Sequence, residues 1–246
     1  MQDVHATRDE LAPWAVDNDI VEAMASVDLL QIMATLEQHR QPEPGWTPTY
    51  NRFLNDSRVQ HLEAGGYVFE NLSVYMTMAQ LLAPALRPSG TGEPLRVLDV
   101  GCGTGFLTMV LAHLVGPRGG RVTAIDIFER QVEHAQRDTR AVRPDLLPSC
   151  EFAVANAWEY APAEARYDAI AVAAQCERVP QNLVALLKPG GRLVCPLGPL
   201  TPIDSTRSDR FNPFWLHVAG ARPGDPPARS ERAGPIAVNF LPLLPT

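Results

Sequence analysis

The sequence predicts a doubly wound α/β fold, with a central, mostly parallel sheet and helices on both faces. Three observations predict it. Short apolar runs of strand length recur at residues 96–100, 121–126, 150–156, 167–174 and 191–198. Helical periodicity fills three of the gaps between them, and such alternation calls for crossover connections and hence parallel strands. A glycine-rich turn, GCGTG at residues 101–105, follows the first run, where folds of this kind place a ligand.

The elements follow in order. Between residues 17 and 39, Ile20, Val21, Met24, Val27, Leu30, Met33 and Leu36 recur at three and four, which predicts an amphipathic helix or helix pair. QPEPGWTP at 41–48 stops it, because proline lacks the backbone donor and restricts its predecessor. A second helical pattern spans 74–86. After the first strand, Phe106, Leu107, Val110, Leu111 and Leu114 mark a helix closed by Gly116, and residues 127–142 carry Val132 and Ala135 on another. Beyond Gly198, residues 214–219 and 236–241 predict an antiparallel pair at the sheet edge, with a Pro-, Gly- and charge-rich loop at 220–234 between them. Residues 1–72 are expected to form a helical recognition segment and 73–246 the main domain.

Composition narrows the function. At 246 residues and 46% hydrophobic content, the chain can bury one substantial core. No apolar run approaches the roughly 18 to 20 residues that cross a bilayer. MQDVHATRDE has no basic region leading into an apolar stretch, so the chain reads as soluble and cytoplasmic, with no membrane partner. A net charge of -7 with scattered Lys and Arg excludes a phosphate-backbone footprint, and so a nucleic-acid partner. Cys102, Cys150, Cys176 and Cys195 form no CxxC pair and lack a His at zinc-ligand spacing, so buried free thiols are expected and no metal. His113 and His134 fall in helical patterns and are read as solvated.

The chemistry centres on VLDVGCGTG at 97–105. Glycines at 101, 103 and 105 permit positive φ and close approach of a ligand. Dinucleotide sites favour GxGxxG, but Phe106 occupies that last position here. S-adenosylmethionine has no phosphate and carries an ammonium, a carboxylate and a sulfonium, so a compact turn beside acidic Asp99 suits it better. Asp126 ends the next strand, where an acidic side chain accepts from both ribose hydroxyls. After the third strand, Asn156 and Ala157 are placed to reach the adenine edge.

From Leu95 onward the chain resembles the protein-L-isoaspartate (D-aspartate) O-methyltransferases. It carries VLDVGCGTGFLT, RVTAID, YDAIAVAA, VPQNLVALLKPGGRLVCPLGP and IAVNFLPL in that order. The resemblance implies a Rossmann-like class I methyltransferase with S-adenosyl-L-methionine as donor and S-adenosyl-L-homocysteine as product. The acceptor it implies is an Asp or isoAsp carboxylate of a protein or peptide, whose ester then closes to a succinimide. It also implies that Leu72, Asp99, Gly101, Cys102, Gly103, Gly105, Asp126, Ile127, Asn156 and Ala157 hold the cofactor.

NLSVYMTMA stands where the family has Ile-Ser-Ala-Pro-His-Met-His-Ala, so Ser73 matches its active-site serine, and Val74, Tyr75 and Met78 are expected to face the acceptor. Ser73 also reads as a helix N-cap, and Tyr75, Met76 and Met78 as helix core. Tyr75 replaces the proline, Met76 and Met78 the two histidines, and Ala155, Asn156 and Ala157 a Gly-Asp-Gly. The chain also stops at Thr246, short of the tail that usually follows the final Pro-Leu. The loss of the histidines and the N-terminal segment through Trp46 and Tyr50 point to a narrower acceptor, such as a dedicated ribosomal natural-product precursor. Two other functions stay open: methylation of a small molecule on the same fold, and cofactor binding without turnover.

Overall fold

The computed structural model describes residues 17–32, 60–62, 67–69, 72–87, 92–199, 212–222 and 225–238. The expected linker at 41–48 and the end of the first helical pattern, 33–39, lie outside the described residues. The elements are α1 (Asn18–Ala25), β1 (Gln60–Leu62), β2 (Tyr67–Phe69), α2 (Leu72–Leu82), β3 (Arg96–Val100), α3 (Phe106–Val115) and β4 (Arg121–Asp126). They continue with α4 (Glu129–Val142), β5 (Cys150–Val154), β6 (Tyr167–Val172), α5 (Gln181–Val184), β7 (Leu187–Pro196), β8 (Asn212–Val218) and β9 (Arg229–Val238).

Strands β3 to β9 form one seven-stranded sheet in the order β5-β4-β3-β6-β7-β8-β9, parallel from β5 to β7 and antiparallel at β8 and β9. The order reverses at β3, because β3–β4–β5 grows one way and β6–β7 the other. Right-handed crossovers then place α3 and α4 on one face, and the 155–166 connection with α5 on the other.

Alternation along the central strand serves both faces. Val97 joins Ile20, Met24, Met76, Met78, Phe106 and Leu111 in one core, while Leu98 and Val100 join Ile170, Val172, Leu183 and Cys195 in the other. Beside this sheet β1 and β2 pair as an antiparallel hairpin that the apolar pattern gave no reason to expect.

Two expectations change, and one open alternative closes. The edge strand expected at 236–241 begins at Arg229 instead. Its first half is charged because an edge strand meets water along one side, and Arg229 and Glu231 pair along it. The first helical pattern is a helix pair, since α1 ends at Ser26 and residues 29–32 are helical again after Asp28 Oδ1 accepts the Gln31 N–H at 3.0 Å.

The histidines are not on solvated faces: His134 is buried, and His113 sits in a cluster joining α1 to the domain. There the Ser26 hydroxyl lies 3.2 Å from His113 Nδ1, and Arg143 reaches Ser26 Oγ at 2.5 Å, His113 Nδ1 at 3.3 Å and Asp145 with two bonds.

Burial, and then the Arg143 charge, hold His113 below its ordinary pKa, although Asp145 and Glu22 oppose this. The neutral ring therefore favours the docked helix, and that contribution is lost as the pH falls through the ordinary histidine range, about 6.5, toward the lowered value. Arg143→Ala is expected to raise hydrogen exchange of the α1 amides about tenfold at neutral pH. His113→Gln should leave α1 protection independent of pH between about 5 and 7. Unchanged protection in Arg143→Ala would show that the apolar contacts of α1 hold it alone.

Candidate functional site

The site is built on the turn that leaves β3. The Gly101 and Cys102 N–H groups both donate to the Ile125 carbonyl, at 2.8 and 3.1 Å, which ties the turn to the end of β4. Gly101 and Gly105 adopt φ of 76° and 78°. A Cβ on Gly101 would stand 3.1 Å from the Ala173 carbonyl oxygen, and one on Gly105 3.1 Å from the Ala135 backbone. Gly105 thus lets α3 pack against α4, the task of the third glycine in GxGxxG, from one position earlier. A Cβ on Gly103 would meet only the Gly101 carbonyl oxygen, at 3.9 Å, so a ligand can approach its backbone.

Two carboxylates flank the turn. Asp99 is fully buried on the central strand, and its Oδ2 accepts from the Thr108 hydroxyl of α3 at 2.6 Å. Its Oδ1 has no hydrogen-bond partner. Burial pushes the Asp99 carboxyl up to about 7, against the Thr108 bond and with help from the Asp126 charge. Asp126 accepts the Gly103 N–H at 3.3 Å through Oδ2 and the Phe128 N–H at 3.1 Å through Oδ1. Burial raises its pKa, and those backbone bonds partly offset the rise. Cys102 is buried in the turn, and its thiol is pushed well up by the same desolvation.

Asp126 and Asn156 are neighbours because β4 and β5 are in parallel register, Asp126 opposite Val154. Asn156 follows in a turn where its Oδ1 accepts the Trp158 N–H at 3.0 Å, with half-buried Ile127 and buried Ala157 beside it. Among the described residues, the two large apolar side chains that stand exposed, Phe128 at 52% and Val154 at 53%, flank this same edge.

Helix α2 brings the remaining predicted residues to this end of the sheet. At its far end the Leu81 carbonyl accepts from Arg192, midway along β7 and opposite Ala169 of β6, while the Tyr75 ring lies 5.3 Å from that of Phe106, the residue after the glycine turn, tilted at 52°. Its N-terminal turn, with Leu72, Ser73 and Val74, therefore lies at the carboxyl ends of the strands. Ser73 is the second helical residue and its carbonyl accepts from Thr77, so it is not the N-cap. Tyr75 is buried, and Met76 and Met78 lie in the core.

Sequence reasoning missed Thr108 and Asn182. Thr108 carries a legible signal, a hydroxyl on the helix that follows an acidic strand end; Asn182, which donates to Ala157 O at 2.6 Å, carries none.

Residues 51–211 match the family model of protein-L-isoaspartate (D-aspartate) O-methyltransferase. The chain belongs to that family. A family relative from Brucella anthropi is 32% identical over 170 residues, 69% of this chain and 70% of its own length. One from Aeropyrum pernix is 37% identical over 189 residues, 74% and 66% of the two chains. Against the Triticum aestivum protein, at 36% identity, the match covers 51% of this chain and 53% of the relative, so the chain spans about half the length of several curated relatives. A Plasmodium falciparum chain described as a protein-L-isoaspartate O-methyltransferase, solved with S-adenosyl-L-homocysteine, superposes over 99% of both chains with a TM-score of 0.71 at 18% identity. That likeness shows the O-methyltransferase family's fold.

Asp99 gives a sharp test. Its raised pKa means that the folded state prefers the neutral acid, so its contribution to stability is fully present below about 4 and is lost as the pH rises through about 7. Holding it ionised in the fold costs on the order of 4 kcal/mol. Asp99→Asn, which keeps an acceptor for Thr108, is expected to stabilise the ligand-free protein more at pH ~8 than at pH ~5 by thermal unfolding. A gain independent of pH would contradict this.

Proposed function

We propose that the chain is an S-adenosylmethionine-dependent O-methyltransferase that esterifies an aspartyl or isoaspartyl carboxylate of a protein or peptide. The observation that carries the reading is Asp126, at the end of β4, holding the Gly103 amide of the glycine turn, on a chain of this family. The residues fit the cofactor. Gly103 offers accessible backbone, buried Asp99 and half-buried Asp126 favour a cation, and exposed Phe128 and Val154 with half-buried Ile127 suit a base. Leu72, Gly101, Cys102, Gly105, Asn156 and Ala157 complete that shell.

When bound, S-adenosylmethionine supplies a methyl group on a sulfonium sulfur. Transfer of that methyl to a carboxylate oxygen, with the C–S electron pair left on sulfur, would give an ester and S-adenosylhomocysteine. A carboxyl with a pKa of about 4 is ionised at neutral pH, so no side chain has to remove a proton. The chain's work is positioning. Asp126 is placed to accept from the ribose hydroxyls, and Ser73, in the first turn of α2, to donate to the acceptor carboxylate. Alignment of this kind supplies up to roughly 7–11 kcal/mol in favourable systems. Val74, Tyr75 and Met78, expected to face the acceptor, are instead buried in the core; they hold α2 behind Ser73, with the Tyr75 ring tilted against Phe106.

A narrower acceptor is favoured by one feature. Met76 and Met78 stand where the resemblance puts the family's histidines, and both are buried in the core, so α2 presents no imidazole donor to an acceptor, as suits one dedicated peptide. Residues 1–72 are then the segment that recognises it.

Incubation with methyl-labelled cofactor and isoaspartyl, aspartyl and gene-neighbour peptides tests both readings. Base-labile label on a peptide carboxylate is expected, and Ser73→Ala should lower kcat by roughly tenfold or more. Label confined to the gene-neighbour peptide supports the narrower acceptor. Transfer to no peptide contradicts the function.

A further inference from the structure

The turn after β5, Ala-Asn-Ala at 155–157, carries no glycine and is held from outside. Within it Asn156 Oδ1 accepts the Trp158 N–H and the Asn156 carbonyl accepts the Glu159 N–H at 3.1 Å, so the amide orientation follows from its donor. Ala155 ties its start to the Asp126 carbonyl at 2.9 Å, and Tyr160 meets the Tyr167 hydroxyl at 2.9 Å. The bend between these anchors is spanned by one side chain. Asn182 of α5 donates through Nδ2 to the Ala157 carbonyl at 2.6 Å and to the Tyr160 carbonyl at 3.3 Å. Beside it the Arg178 guanidinium lies over the Trp158 ring at 5.3 Å.

Arg178 and Asn182 belong to the segment that leaves β6. Its first residue, Ala173, donates to the Val100 carbonyl at 2.8 Å and packs its own carbonyl against Gly101. One segment therefore touches the glycine turn at its start and the Asn156 turn at its end. We propose that Asn182, assisted by Arg178, is a positioning residue that sets the distance between those two turns and thereby the preference for an adenine base. The inference rests on the adenosyl placement given under Proposed function. Both amide hydrogens of Asn182 are spent on carbonyl oxygens, so aspartate at this position would oppose oxygen to oxygen at nearly the same size.

The test is calorimetric binding of S-adenosylhomocysteine and of S-inosylhomocysteine, which has a carbonyl in place of the 6-amino group. Asn182→Asp is expected to weaken S-adenosylhomocysteine by about tenfold and to bring the ratio of the two affinities toward one. Arg178→Ala, an exposed change that leaves the core intact, should do the same by about threefold. Circular dichroism of the ligand-free variants separates unfolding from lost positioning. A ratio unchanged in both folded variants, while Asn156→Ala still weakens S-adenosylhomocysteine, overturns the role of Asn182. If wild type binds S-adenosylhomocysteine and none of the three substitutions alters it, the base lies elsewhere, and the placement falls together with this inference.

Discussion

Everything at the carboxyl edge depends on the Ile125 carbonyl taking two amides from the glycine turn, Gly101 and Cys102. That pair of hydrogen bonds from β3's exit to β4's end fixes where the turn stands, and the Gly103 hydrogen bond to Asp126 then fixes the carboxylate beneath it. The left-handed glycines are a consequence. A chain that must double back under β4, pass the Ala173 carbonyl and start a helix against Ala135 has no room for a Cβ at 101 or 105.

The same geometry explains why a costly group is tolerated. Asp99 sits on the central strand of a sheet covered on both sides, and one oxygen stays unpaired. A carboxylate so placed weakens the fold unless a cation approaches, which is how strain of this kind is tolerated where a ligand binds. Thr108 reduces the cost without removing it.

The parallel sheet, the glycine turn and Asp126 were legible because each leaves a local mark: an apolar run, positive-φ residues, an acid at a strand end. The first half of β9 was not, since its Arg229–Arg232 stretch serves an edge strand bathed in water and carries no alternation. His113 was misplaced for a related reason. Its helix looks amphipathic, but α1 docks on α3 through Ser26 and Arg143, a contact between residues far apart in sequence. Asn182 was invisible on the same ground, because its partners lie in another crossover on the same face of the sheet. Ser73 shows the limit of local signals, since a capping-type residue before an apolar run proved to be inside the first turn.

The central claim is that the crevice between the glycine turn and Asp126 holds an adenosyl cofactor. Titration of the full chain with S-adenosylhomocysteine, beside Asp126→Ala, addresses it most directly. The account predicts one equivalent bound by the wild type and a loss of at least about tenfold in the variant, whose ribose acceptor is gone. Equal binding by the two, or none by the wild type, would contradict it.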